Sequence, residues 1–585
     1  MGGDSDQGLR AAWTRLGNRL AARRAARAQP ATGFVSQPEP RTLGLTARGK
    51  QVMAGNFLFA GHLVERPDTV IWDLPAPDAA FAAALQGFGW LDDLAALGDL
   101  NARNRAQGWT WEWIARFGRG QGPGWTPDLT GRRLIRWINH ALFLLNGRPA
   151  SDAEAYYRTL AAQVLFLGRR WKAASPGLPR IEALTGLIYA GLSLTGMEGQ
   201  VTPAARALGQ ECGSAIDAGG GIPTRNPEEL LEVFSLLTWA AQALGEAGRP
   251  VPDALTAALA RIAPCLRALR HADGGLARFH GGGRGVEGRL DQALASAGVK
   301  ATAQEGLSMG FARLSGGRSS VVADVASPPG GPAGRLAHAS TLAFELTSGR
   351  RPVIVNCGAG APFGKDWRRA ARATQSHSTL SLDGVSSSRF APGGGDILAE
   401  RAQVPLCRQG EVERGHHLLA THDGWLQTHG LTHARELTLS PDGRRLEGVD
   451  LLAAEGPQAH AKLLAMLTRQ HRQGQEGIGF AVRFHLHPDV EASLDMGGTA
   501  VSLMLKSGEV WVFRHDGGAE GRARLGLEPS VYLDATRLMP RASRQIVLQA
   551  TLTDFQSRIG WTLAKAQDTP LAIRDLERDE LPSRP

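Results

Sequence analysis

The hydrophobic periodicity changes once along these 585 residues. From about Leu129 to His271 apolar residues recur at helical spacing, and from about Gly310 onward they alternate. Recurrence at i, i+3 and i+4 gives a helix one apolar stripe, whereas alternation gives a strand one apolar face. A chain that carries a long run of the first and then a long run of the second builds an all-α body followed by an all-β body.

The helical half reads as segments Arg132–Leu145, Ala153–Leu167, Ile181–Thr195, Pro203–Ala218, Pro227–Leu244 and Pro252–Arg270. Start signals precede several of them: Pro127-Asp128, Ser151-Asp152, Thr202-Pro203, Asn226-Pro227 and Val251-Pro252. Short Gly-bearing connections such as Asn146-Gly147 separate the helices, which suits a ring or a solenoid of hairpins. The second half reads as strands with no helix between them, among them FARLSG, SSVVADV, TLAFELTSG, PVIVNCG, STLSLDG, RELTLSPDG, FAVRFHLHP and RQIVLQATL. Asp-Gly and Ser-Gly pairs supply hairpin turns, and such a series closes as an antiparallel sandwich. The expected divisions are a basic tail or helix over 1–45, a helical domain over 46–290 and a sandwich over 305–575, joined through His280–Thr302.

Composition removes other classes. Hydrophobic residues make up 43% and charged residues 21%, enough for real cores and too apolar for general disorder. The longest uncharged stretch, Ala183 to Met197, is 15 residues and too short to cross a bilayer. Cys212, Cys265, Cys357 and Cys407 form no CxxC pair and read as free thiols. The net charge of +9 comes mostly from arginine, whose planar fork suits carboxylates, sulfates and phosphates. It fits polyanions in general, but no nucleic-acid-binding module accompanies it, and nucleic acid is not expected as a partner. Near the N-terminus, LRAAWTRLGNRLAARRAARA forms a basic amphipathic helix, read first as solvated and second as a membrane-surface element. It lacks the uninterrupted apolar core of a secretory signal.

Four constellations could carry chemistry. In GGGIPTRNPEELLEVFSLL a Gly-rich loop delivers Arg225 and Asn226 to a helix start, where Asn226 either caps the helix or faces a cleft. HADGGLARFHGGGRG places Asp273, Arg278 and His280 in a second Gly-rich loop. FGKDWRRAARATQSHSTLSLDG leads a cationic segment containing Arg372 into His377 at a strand start, where an imidazole can act as a base or bind a carboxylate. The histidines His416, His417, His422, His429 and His433 crowd together, and His485 and His487 share one strand face, a spacing open to a shared metal or to surface histidines beside a turn.

At these residues the chain resembles bacterial proteins of the heparinase II/III family. The resemblance rests on GPGWTPDLTGRRLIRWINH, GGGIPTRNPEELLE, HADGGLARF, RPVIVNCGAG with ARATQSHSTLSLDG, THARELTLSPDGRRLEGVDLL and RFHLHPDV, and it spans nearly the whole chain. It implies an α+β multidomain protein: an N-terminal α/α toroid (an incomplete α/α barrel) followed by a C-terminal antiparallel β-sandwich. It also implies a polysaccharide lyase for uronic-acid-containing chains, heparan sulfate-like or otherwise acidic. In such β-elimination the uronate carboxylate is neutralised, a base takes the C5 proton and an acid assists the C4–O leaving group. On that model Asn226 and His377 face one sugar, and Arg225 and Arg372 are the substrate anion contacts.

Two departures stand out. The family's toroid tyrosine is missing from the loop around His280, which leaves His280 and Tyr189 as candidates for its place and loss of catalysis as a third reading. No cofactor is required, but family members often hold a structural divalent metal (Zn or Ca) in the sandwich. Asp396 and His433 could be ligands here, while Thr379 stands where a further histidine is expected. A lyase for acidic polysaccharide or oligosaccharide is the preferred reading. A non-catalytic polysaccharide-binding or envelope-polysaccharide biosynthesis protein on the same scaffold is the alternative. A glycoside hydrolase would need a pair of carboxyls in one cleft, and no obvious pair is present. The resemblance implies the periplasm or cell envelope, and the missing export signal points to the cytoplasm instead.

Overall fold

The computed structural model describes residues 2–27, 31, 33–36, 40–42, 44–300, 306–391, 395–518 and 523–568, with side chains from residue 11. Ala28, Thr302 and residues 569–575, which end three of the expected segments, lie outside the described residues. Two compact units emerge. The first comprises 1–222, 231–263 and 292–300, and the second 223–230, 264–291 and 301–585.

The first unit is helical. Each helix read from periodicity is present, shifted by a few residues: Pro127–Asn139 with Ala141–Leu145, then Ala150–Arg170, Leu178–Ser193, Val201–Ala215, Pro227–Glu246 and Asp253–Ala268. Several earlier helices, among them Ala79–Gln86, Gly89–Leu97 and Leu100–Phe117, escaped that reading. Their segments are short or crowded with Trp and Ala, so period and loop blur. They bury the aromatic core of Phe88, Trp90, Trp109, Trp113 and Trp137. Arg133 is buried inside it, over the Trp113 ring at 4.1 Å, with Nε donating to Gln163 at 2.7 Å. Helices Pro127–Asn139 and Leu178–Ser193 touch backbone to backbone. A Cβ on Gly186 would lie 2.6 Å from the Gly131 Cα, so only glycine allows this approach.

The second unit is built on two antiparallel eight-stranded sheets, with a small two-stranded sheet of Arg389–Phe390 and Leu398–Glu400 beside them in sequence. One runs, in spatial order, Leu406–Val412, Gly415–Trp425, Leu431–Leu439, Arg445–Ala453, Gln556–Gln567, Val510–His515, Ala500–Met504 and Glu491–Asp495. The other runs Arg524–Tyr532, Arg541–Leu552, Ile478–Leu486, Arg351–Val355, Phe344–Ser348, Ser319–Asp324 and Phe311–Gly316, with Leu380–Leu382 pairing onto Ile478–Leu486. One core joins both sheets through Phe344, Phe484, Trp511, Phe513 and Trp561. The expectation of strands without helices is corrected at Pro457–Arg472, a helix that packs Ala459 and Leu463 into this core. The expected connection His280–Thr302 likewise contains a helix, Arg289–Ala297.

Candidate functional site

The second unit brings Arg225, Asn226, His280, Arg372 and His377 into its own body. Asn226 is the N-cap of the helix that Pro227 opens. Its Oδ1 accepts from the backbone N–H of Glu228 at 3.0 Å and of Glu229 at 3.2 Å. The Gly-rich loop after His280 packs on this cap. A Cβ on Gly282 would lie 2.3 Å from Asn226 Oδ1, and the Gly283 N–H donates to Glu228 Oε2 at 2.7 Å.

Arg225 sits in the left-handed region at φ +50° and is nine-tenths buried. Its Nε donates to Met309 O at 2.9 Å. Its Nη1 donates to the carbonyls of Ala326 and Ser327 at 3.2 and 2.9 Å. Its Nη2 donates to Gly310 O at 2.9 Å and to Asp324 Oδ1 at 2.5 Å. These bonds use all five N–H groups of a guanidinium. Gly310 makes room for them, because a Cβ there would lie 2.8 Å from Arg225 Nε.

His280, also left-handed at φ +47°, accepts at Nδ1 from the His338 backbone N–H at 3.2 Å. The proton of its neutral ring is therefore on Nε2, 3.4 Å from Asp324 Oδ2. Asp324 also accepts from Ser340 Oγ at 2.7 Å. His377 Nδ1 lies 2.8 Å from Ala373 O, and a carbonyl only accepts, so Nδ1 carries the proton. Its Nε2 lone pair meets Nδ1 of His338 at 3.0 Å, and His338 is the donor there. His338 and Asp324 were not singled out in the sequence; one histidine ahead of a strand and one aspartate ending an apolar strand carry no spacing signal.

Burial sets the electrostatics. It brings His377 down to about 4 and lowers His280 and His338 as well, so all three rings are neutral near pH 7. Burial alone would raise the Asp324 carboxyl, but Arg225 and His280 outweigh it and hold it well below the usual range. Arg372 donates from Nε to Ala337 O at 2.7 Å and from Nη2 to Gly334 O at 3.2 Å, and stacks over Phe390 at 4.6 Å. Burial pulls it down to about 10. The arrangement is a filled polar core in which cations and imidazoles serve backbone carbonyls and one another.

The remaining candidates fall elsewhere. Tyr189 lies on helix Leu178–Ser193 of the first unit, wholly buried, and burial pushes its phenol up. Asp396 is exposed and pairs with Arg368 at 3.2 Å. His433 is buried between Asp450 at 2.7 Å and His422 at 3.3 Å. The donors expected of a structural metal therefore do not fit one here: Asp396 and His433 have different partners, and Thr379 supplies a buried hydroxyl in place of an imidazole. Among the described residues no group of three or more His, Cys, Asp or Glu side chains is placed to hold an ion. His485 and His487 are not surface histidines beside a turn. Both are buried, His485 between Ser530 Oγ and Gln375 O, and His487 against the Tyr532 ring. All four cysteines are free thiols. A surface pocket lined by Arg414, Thr438, Ser440, Arg445 and Glu447 contains none of the candidate residues.

A toroid-type helical unit, a two-sheet sandwich and a capped Gly-rich loop beside a strand-edge histidine define a heparinase II/III-like protein, and this chain belongs to that family. Residues 299–562 match the family model described as Heparinase II/III-like, C-terminal. Over 567 residues the chain is 33% identical to FtsZ-localized protein C of Caulobacter vibrioides (strain NA1000 / CB15N), covering 90% of this chain and 91% of the relative. Among solved structures it is similar in fold to heparinase III, with TM-score 0.66 and 13% identity over 93% of this chain and 88% of that one. It is also similar to a mutant of the heparan sulfate lyase HepC from Pedobacter heparinus, with TM-score 0.58 and 14% identity over 95% and 89%.

Proposed function

We propose that this chain is a non-catalytic member of the heparinase II/III-like family, working as a structural protein of an FtsZ-containing assembly rather than as a lyase. The observation that carries this reading is the closure of the candidate site. Arg225 has no N–H left for a uronate carboxylate, and the His377 lone pair that would take the C5 proton accepts from His338. A base needs an available lone pair within reach of the proton. None of the four tyrosines, Tyr156, Tyr157, Tyr189 and Tyr532, stands in the loop around His280, where the family acid is expected. The FtsZ association is supported by the 33% identical relative, whose name places it with FtsZ.

Two measurements on the purified full chain test the reading. Incubation with heparan-type, alginate-type and other uronate polysaccharides is followed by the absorbance of an unsaturated uronate, and co-sedimentation is measured with polymerised FtsZ. No absorbance rise together with saturable co-sedimentation is expected. Unsaturated product that disappears in His377→Ala would overturn the non-catalytic assignment, and absence of co-sedimentation would overturn the partner.

A further inference from the structure

The N-terminal helix Gly2–Ala25 has two different faces. One is fastened to the helical unit. Asn18, Ala22 and Ala25 are buried, and Asn18 Oδ1 accepts from Arg170 Nε at 2.8 Å. A further Arg170 nitrogen, Nη2, donates to Thr14 O at 3.4 Å. Gly17 lies against the same guanidinium, where a Cβ would be 3.1 Å from Nη2, and Gly120 approaches the Ala22 backbone so closely that its Cβ would be 2.4 Å away.

The other face points to solvent and is apolar. Trp13, Leu16 and Leu20 follow one another at three and four residues, the spacing that aligns side chains along one helix face, and are 71%, 45% and 59% exposed. Isolated exposed apolar residues need no explanation, but a Trp and two Leu in one row on a fixed helix do. From Arg10 to Arg27, alongside the row, the charge has one sign, and the two acids of the helix, Asp4 and Asp6, precede it. Residues 11–27 contain Arg15, Arg19, Arg23, Arg24 and Arg27, all exposed, and no Asp or Glu. Arg15, Arg19 and Arg23 repeat every four residues along one flank, and Arg24 and Arg27 close the C-terminal end.

We infer that this face docks on an anionic phospholipid bilayer, with the helix lying in the plane of the interface. Trp13 would sit at headgroup depth, Leu16 and Leu20 at the acyl boundary, and the arginines would extend their stems along the surface to reach lipid phosphates. Charge complementarity decides the occupant. A second copy of this chain would bring the same arginines against themselves, whereas a phosphate-rich surface pairs with every one of them. The helix is also held outward in advance, so docking requires no unfolding of the body. Among the described residues no helix is long and apolar enough to cross a membrane, which leaves surface contact as the mode for this segment. The inference is independent of whether the candidate site is catalytic or whether FtsZ is bound.

Vesicle flotation of the full chain tests it, with vesicles of phosphatidylcholine alone and of phosphatidylcholine mixed with phosphatidylglycerol. Flotation with the mixed vesicles only, weakening as salt is raised, is expected. The triple variant Trp13→Glu/Leu16→Glu/Leu20→Glu is expected to bind at least tenfold more weakly, and Arg15→Gln/Arg19→Gln/Arg23→Gln likewise. Because all six side chains are solvent-facing, both variants should keep the wild-type circular dichroism and melting curve. No flotation with mixed vesicles would overturn the inference, as would flotation unchanged by either variant. Concentration-dependent self-association without vesicles, lost in the Glu variant, would assign the face to a second copy instead.

Discussion

His338 Nδ1 stands 3.0 Å from His377 Nε2 and donates its proton into the one lone pair that His377 has. The direction of this bond follows from the other side of the His377 ring, where Nδ1 must donate to Ala373 O at 2.8 Å. An imidazole held in this way positions a strand start. It is not poised to take a proton from a ligand unless His338 leaves.

The buried imidazoles make stability fall on acidification. Burial lowers His377 in the folded chain to about 4, against about 6.5 when unfolded. Between these values the unfolded chain binds the additional proton, so stability is complete above about pH 6.5 and is lost as pH drops toward 4. At about 1.4 kcal/mol per unit, His377 alone accounts for roughly 3 kcal/mol across that window. Urea titrations from pH 7.5 to 4.5 should show the decline, and His377→Gln should make it shallower by that share, the other buried histidines keeping theirs.

Arg225 and Asp324 should behave as one unit. Arg225→Ala leaves the Asp324 carboxylate buried without its cation and should cost about 3–5 kcal/mol. Arg225→Lys should recover little, since an ammonium has three donors where five are used. In a double-mutant cycle, adding Asp324→Ala to Arg225→Ala should cost much less than Asp324→Ala does alone. Additive losses would show that the two side chains act separately.

If Asn226 is a cap, its substitutions should follow capping rules. Asn226→Ala should lose about 1 kcal/mol of stability, and Asn226→Asp or Asn226→Ser should restore most of it. Thermal melts of the three variants check this. An Asn226→Ser protein as unstable as the Ala variant would mean that the amide group has another task.

Gly186→Ala should destabilise the helical unit by more than about 2 kcal/mol, because the new methyl would meet Gly131 backbone at 2.6 Å with no flexible side chain to yield. Gly147→Ala should cost far less: φ is positive there, yet no atom lies within 4 Å of a Cβ. Denaturation of the two variants side by side separates overpacking from backbone strain.

Periodicity located most of the elements because each pattern matched the burial that the fold imposes. FARLSG occupies Phe311–Gly316, and RELTL lies within Leu431–Leu439. It failed where burial is not one-sided. Gly415–Trp425 reads as a histidine-rich stretch, yet it is an eleven-residue strand, with His416 and His417 half-covered or exposed and His422 in the core. Pro457–Arg472 buries only Ala459 and Leu463, too few to stand out among strands. The site was legible as types: Arg225, Asn226, His280, Arg372 and His377 do share one unit.

By itself the sequence determined the two architectures, the Asn-Pro helix start, the free thiols and the arginine-rich N-terminal helix, free of acids after Asp6. These are local properties, set by spacing and by backbone chemistry within a few residues. Only the tertiary structure decided what the polar residues do. Met309, Gly310, Asp324, Ala326 and Ser327 surround Arg225 from about a hundred positions downstream, and His338 reaches His377 across 39. A buried guanidinium must satisfy every donor, and the partners that satisfy it belong to segments that local pattern cannot pair. The same holds for Trp13, Leu16 and Leu20: their spacing is written in the chain, but the Arg170 bonds to Asn18 and Thr14 turn them outward.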